Sequence, residues 1–191
     1  MRKLVYYVGV TLDGYIAGPQ GEVDFAPLSE DLMAWFAECY PETLPTHVRE
    51  HVGIPVDTPN RTIDTVLMGR GTYEPGLAIG ADSPYNHLKQ YIFSSTLAPV
   101  DNPQVEIVDT DPVHLVRQLK NEPGLDIWLC GGGNLAGQLI GEIDRMVLKS
   151  YPVLWGEGAR ALSGNFDPTR FTVTQRREFG SGVQVTWFDR T

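Results

Sequence analysis

Two apolar, strand-like runs each end in a glycine-rich turn and open into a helix. Thr65 to Met68 enters Gly69-Arg70-Gly71-Thr72, and Asp126 to Cys130 enters Gly131-Gly132-Gly133. This arrangement constrains the fold more than any other feature. Consecutive strand–helix units demand a mainly parallel sheet covered on both faces. In such a sheet, ligands bind beyond the carboxyl ends of the strands.

The rest of the chain keeps the same grammar. Leu4 to Val10 is a near-continuous apolar run suited to a strand buried on both faces. Thr11 to Asp24 reads as a loop punctuated by Gly14, Gly18, Pro19 and Gly21. Ser29 is a helix N-cap, followed by Glu30, Asp31 and the periodic residues Leu32, Trp35, Phe36 and Tyr40. Pro41 to Arg61 is proline-rich and irregular. Strands are expected at Gln90–Phe93, Val105–Val108 and Arg145–Val153. Helices are expected at Pro112–Asn121, capped by Asp111, and at Asn134–Ile143. Phe171–Phe179 and Val183–Phe188 flank Gly180-Ser181-Gly182 as a closing hairpin. Length and the absence of a linker predict one domain over residues 1–191.

The two glycine turns suit a dinucleotide. A helix N-terminus offers free N–H groups to phosphate, and glycine lets the backbone approach it. Arg70 adds a fork of donors, and Thr72 a hydroxyl. A lone turn of this kind reads more readily as a tight strand-to-helix connection; the pair shifts the reading toward a cofactor. The sequence does not match G-x-G-x-x-G.

A net charge of −9 argues against nucleic acid and anionic membrane as partners. Cys39 and Cys130 are far apart and outside any CxxC pattern, so neither a disulfide framework nor a thiolate zinc site is expected. The basic start followed by an apolar run resembles a signal peptide only briefly, because Asp13 and Gly14 interrupt it. These features predict a cytoplasmic protein. His47-Val48-Arg49-Glu50-His51 matches H-x-x-E-H, but it lies between Pro45 and Pro55, and a solvated turn is the expected reading, with no metal. Asp31 lies beside aromatic residues, which would favour its protonated form, but its spacing alone favours the reading that it complements the helix dipole.

With these motifs placed, the chain resembles the dihydrofolate reductase superfamily, including the RibD C-terminal domain of riboflavin-biosynthesis proteins. The resemblance runs from Leu4 to about Phe188 and rests on VLMGRGTYE, IFSST, WLCGGGNLAGQLI, LDGYIAG, SEDLMAWF and PVLWGEG. It implies a dihydrofolate reductase-like α/β fold, with an eight-stranded, mostly parallel sheet, helices on both faces and a C-terminal antiparallel hairpin. It also implies NADPH and hydride transfer to a small heterocycle, of the pyrimidine kind used in riboflavin biosynthesis or of the folate kind. In that scheme Gly69, Arg70, Gly71 and Thr72 hold the adenosine phosphates, and Ser94, Ser95 and Thr96 its edge. Gly131, Gly132, Gly133, Asn134 and Leu135 hold the pyrophosphate, with a cis bond at Gly131–Gly132. Ile16 and Ala17 lie near the nicotinamide. Asp31 orients the substrate or relays a proton, with Asp13 second, and Trp35 and Phe36 share the substrate helix.

Three departures bear on the substrate. Leu88 stands where a folate-binding arginine is expected, Cys130 where the riboflavin reductases usually have glutamate, and Pro75 to Tyr85 carries no Lys or Arg. A nucleotide-binding protein without turnover is the rival reading. The family further implies a homodimer, with Val183, Val185 and Trp187 as its apolar face; packing of that face inside its own domain is the alternative.

Overall fold

The computed structural model describes residues 1–24, 27–164 and 168–191. Its strands are β1 (Leu4–Val10), β2 (Tyr15–Ala17), β3 (Ile63–Gly69), β4 (Lys89–Phe93), β5 (Val105–Val108), β6 (Asp126–Gly131), β7 (Arg145–Ser150), β8 (Ala159–Arg160), β9 (Phe171–Glu178) and β10 (Gln184–Arg190). Its α-helices are α1 (Glu30–Cys39), α2 (Thr46–Arg49), α3 (Arg70–Ala78), α4 (Pro112–Asn121) and α5 (Gly133–Gln138). Eight strands form one sheet in the order β5-β4-β3-β6-β1-β7-β10-β9, and β2 pairs separately with β8. Every ladder from β5 to β7 is parallel, and β10 runs antiparallel to both its neighbours. This is the α/β architecture the strand–helix grammar implied.

The pleat of β1 divides the core. Val5 and Tyr7 face one side, with Leu32, Trp35 and Phe36 of α1 and Tyr73 of α3. Leu4, Tyr6, Val8 and Val10 face the other, with Val116 and Leu119 of α4 and Leu135 and Ala136 of α5. Both faces of the strand are covered, so apolar residues occupy nearly every position. Each fully buried aliphatic side chain here contributes about 1.5–3 kcal/mol.

Local signals account for most element ends. The Asp111 carboxylate accepts from the Val113 N–H at 3.0 Å, with Pro112 as first helical residue. Ser29 precedes α1 in an extended conformation, but its hydroxyl donates to Ser181 Oγ at 3.2 Å instead of capping the helix. The helix expected to reach Ile143 ends at Gln138, and β7 ends at Ser150, just before Tyr151-Pro152. Pro41–Arg61 holds short helical turns around the buried Glu42, which accepts from the N–H groups of Arg61 and Thr62.

The hairpin face expected to mediate pairing is interior. Val183 and Val185 are 0% exposed and Trp187 7%. Trp187 packs edge-on to Trp35 and donates from Nε1 to the Tyr40 hydroxyl at 2.8 Å. Alternation along β10 therefore reports its own core. The edge strand on this side of the sheet is β9, exposed from Thr172 to Glu178 and ending in Arg176, Arg177 and Glu178.

Because β1, β3, β6 and β7 are parallel, their carboxyl ends open at the same sheet edge.

Candidate active site

A cleft of about 560 Å³ lies at that edge. Tyr7 and Gly9 of β1, Trp128, Cys130 and Gly131 of β6, and Lys149 with Tyr151 from β7 line one part. Ile16 and Ala17 of β2 and Gly71, Thr72, Pro75 and Gly76 of α3 line another. Among the described residues, no Asp or Glu lines it.

The cofactor residues inferred from sequence divide into three groups. Ile16, Ala17, Gly71, Thr72 and Gly131 face the cleft. Gly131 and Gly132 have φ of 150° and 50°, and a Cβ on either would sit 3.8 or 3.6 Å from Thr72 Oγ1. The two glycine turns thus face one another across Thr72, in a cradle that side chains would fill. The expected cis bond is absent: peptide bonds among the described residues are trans.

The second group forms a cluster outside the cleft lining. The Arg70 guanidinium donates to Thr96 Oγ1 at 3.0 Å and lies 3.5 Å from Glu74, both side chains about half exposed. Ser94 Oγ accepts from the N–H groups of Thr96 and Leu97, and Ser95 is exposed. Gly69 caps α3 and faces Leu135.

The third group is structural. A Cβ on Gly133 would collide with the Arg160 carbonyl, and its own carbonyl accepts from the Ser163 N–H at 2.9 Å. Leu135 is a core residue, and Asn134 accepts from Gln138 Nε2 at 2.6 Å. Close packing, rather than a ligand, explains glycine at position 133.

Neither carboxylate picked out from sequence is among the cleft-lining residues. Asp31 is exposed and accepts from the Leu32 and Gly180 N–H groups, tying α1 to the closing hairpin. The Ser29 hydroxyl, then the Gly180 N–H, hold its carboxyl below the ordinary range. That is opposite to the shift expected beside aromatic rings, because those rings point into the core while the carboxylate points out. Asp13 accepts from Thr11 Oγ1 at 2.6 Å and from the Trp155 and Gly156 N–H groups. The Thr11 hydroxyl is the main cause of its lowered pKa. Trp35 and Phe36 belong to the core, where Trp35 meets Phe36, Tyr40, Phe179 and Trp187.

The cleft instead contains a group that sequence reasoning missed. Lys149 Nζ lies 3.9 Å from the centroid of the Tyr7 ring and 5.2 Å from that of Phe36. Burial pushes its pKa down to about 8. Beside it, burial pushes the Cys130 thiol up to about 12 and Tyr151 up to about 12. Tyr85 is a hydrogen-bonding neighbour of Cys130 and is raised well above its ordinary value, mainly by burial. Among the described residues, the buried Tyr7 hydroxyl makes no hydrogen bond of ordinary geometry. Burial raises its pKa well above the ordinary value and keeps it protonated, against the lowering effect of the Thr43 hydroxyl, whose own proton goes to the Tyr40 carbonyl. A signal existed: Val147, Lys149 and Tyr151 alternate, so the lysine occupies a core-facing position of its strand.

In H-x-x-E-H, His51 Nδ1 bonds to the His47 carbonyl at 2.9 Å, and Arg49 is buried. Among the described residues, no cluster of His, Cys, Asp or Glu is placed to hold a metal, and no helix is long and apolar enough to cross a membrane. Cys39 and Cys130 are free thiols.

Comparison with known proteins places this geometry. The RibD C-terminal domain family matches residues 2–185. The uncharacterized protein YwjB of Bacillus subtilis (strain 168) is 27% identical over 187 residues, covering 96% of both chains. The uncharacterized protein YyaP of the same organism is 30% identical over 198 residues, covering 95% of this chain and 92% of its own. Among solved structures, a protein from Shewanella sp. PV-4 provisionally named for riboflavin biosynthesis superposes with a TM-score of 0.73 at 22% identity, covering 100% of this chain and 99% of its own. The diaminohydroxyphosphoribosylaminopyrimidine deaminase/5-amino-6-(5-phosphoribosylamino)uracil reductase of Thermotoga maritima superposes with a TM-score of 0.66 at 16% identity, covering 100% of this chain and 57% of its own. At these identities the two structures establish a shared fold.

Proposed function

The chain belongs to the RibD C-terminal domain family, and on that premise we propose that it is an NADPH-dependent reductase of a small planar heterocycle, of the pyrimidine or pterin kind. One observation carries this reading: a single cleft joins two facing glycine turns to an aromatic, donor-rich end with no carboxylate among its described lining residues, in a chain of net charge −9. Removing negative charge from one concave surface of an acidic protein favours an anionic ligand there.

The residues fit the cofactor. Gly71, Thr72 and Gly131 would hold its phosphates, and Ile16 with Ala17 would lie beside its nicotinamide. Arg70, Ser94 and Thr96 would meet the outer adenosine end. When bound, NADPH supplies a hydride. Tyr7, Tyr85, Trp128 and Tyr151 provide flat, water-excluding walls for the second ring.

Binding is tested by calorimetry and thermal shift with NADPH, since a ligand selective for the folded state raises the melting temperature. Turnover is tested by following NADPH absorbance with pyrimidine and pterin substrates. Absence of NADPH heat would defeat the proposal. One observation favours nucleotide binding without turnover: Asp13 and Asp31 stand outside the cleft lining. Tight NADPH binding without oxidation in the presence of any such ring would decide for that reading.

A further inference from the structure

We propose that Lys149 anchors an oxyanion of the second ligand, so that the cleft takes a planar ring bearing an enolate- or phenolate-like oxygen. This names the substrate class of the proposed reductase and rests on that reading only for calling the ligand a substrate.

The argument begins with unmatched donors. Among the described residues, Lys149 makes no salt bridge or hydrogen bond; aromatic faces, those of Tyr7 and Phe36, are what hold its ammonium. The Tyr7 hydroxyl also makes no hydrogen bond of ordinary geometry, although Tyr7 is only 2% exposed and lines the same end of the cleft. A buried hydroxyl left unpaired is unfavourable, and so is an ammonium half withdrawn from water with no counter-ion beside it. Such groups persist where a ligand supplies the missing acceptor.

The neighbouring side chains do not supply it. Tyr7 of β1 and Phe36 of α1 lie against the ammonium and Cys130 of β6 is its electrostatic neighbour; Trp128, Tyr151, Tyr85, Thr43 and His47 line the same cleft. Burial keeps the Cys130 thiol and the Tyr7, Tyr85 and Tyr151 hydroxyls in their neutral forms at physiological pH. With no carboxylate lining the cleft among the described residues, no fixed negative charge balances Lys149. The ligand must bring it.

The walls set the shape of that ligand. Tyr85 stands edge-on to Trp128 with ring centroids 5.0 Å apart, and Trp128 is itself edge-on to Tyr7. Tyr151 lies against Gly9, where a Cβ would meet its ring at 2.5 Å. Flat aromatic surfaces around one cation favour a conjugated ring whose charge is an exocyclic oxygen.

The test uses 4-nitrophenol, whose phenolate absorbs visible light and whose phenol does not. The cofactor-free protein is titrated below the pKa of the free phenol. Wild type is expected to develop the phenolate band in proportion to protein, Lys149→Arg to retain it, and Lys149→Met to bind the phenolate at least about tenfold more weakly. Circular dichroism and NADPH calorimetry on all three proteins report whether the fold is kept. No band with wild type, or an equal band with folded Lys149→Met, overturns the anchor. A band dependent on Lys149 in a protein that gives no NADPH heat supports the anchor and defeats the reductase reading instead.

Discussion

Lys149 pairs with Gly9 across the parallel β1–β7 ladder and sets its ammonium 3.9 Å from the ring centroid of Tyr7. Glycine at position 9 leaves room for the Tyr151 ring, which a Cβ there would meet at 2.5 Å, and the aromatic face of Tyr7 lies where a counter-ion would. A cation held this way is tuned for a ligand at the expense of the fold.

Stability should reveal that expense. Folded Lys149 titrates near 8 and an unfolded lysine near 10.5. Between those values the unfolded chain binds more protons, so the lysine lowers stability below pH 8 and the penalty fades as pH rises through 8 toward 10.5. Lys149→Met should therefore be more stable than wild type at pH 7, by up to about 3 kcal/mol, the cost of a shift from 10.5 to about 8. Urea unfolding from pH 7 to 10 checks this; a gap that does not shrink with pH would refute it.

Arg70 should decide between NADPH and NADH. Its contact with Glu74 is a half-exposed pair worth about 0.3–0.5 kcal/mol and does not hold it back from a phosphate. Wild type is expected to prefer NADPH by at least about tenfold, or ~1.4 kcal/mol. Arg70→Ala should erase most of that preference and leave NADH affinity nearly unchanged. Titration of both proteins with both cofactors measures it; equal losses would assign Arg70 to the fold.

Asp31→Asn is expected to lower the melting temperature and leave turnover per folded protein unchanged. The carboxylate ties α1 to Gly180 and is held below its ordinary pKa. Its contribution is present above the unfolded carboxyl value and lost as pH falls through the folded one. The difference in melting temperature should accordingly close in acid. A collapse of turnover at unchanged stability would restore Asp31 to the chemistry.

The glycines should separate by function. A Cβ at Gly71 meets nothing within 4 Å, and Gly71 lies within α3 on the cleft wall. Gly71→Ala should raise stability by roughly 0.5–1 kcal/mol through helix propensity while weakening NADPH binding. Gly133→Ala should destabilise by about 1–3 kcal/mol, because its Cβ strikes the Arg160 backbone. Unfolding and calorimetry on both variants distinguish them; reversed effects would exchange the two roles.

Elements defined by short-range physics were legible from the residues alone. The apolar run of β1, the Asp111 cap with Pro112, and the strand–turn–helix at Gly69 depend on neighbours within a turn or two, and the sheet class follows from their alternation. That both glycine turns lie at the carboxyl ends of parallel strands was legible too; that Gly131 and Gly132 stand against Thr72 Oγ1 was not. Nor was what the side chains do there. Asp31 read from its spacing as a partner of the helix dipole, and from the resemblance as a substrate carboxylate, until Gly180 arrived from the closing hairpin to hold it ionised. Val183, Val185 and Trp187 looked like an interface until α1 covered them. Lys149 looked like one more strand residue until β7 was laid beside β1. Sequence by itself determined the main strands and helices and the end of the sheet at which they open. Only the tertiary structure decided which groups share the cleft, since charge, desolvation and hydrogen bonding depend on neighbours that the fold brings from far along the chain.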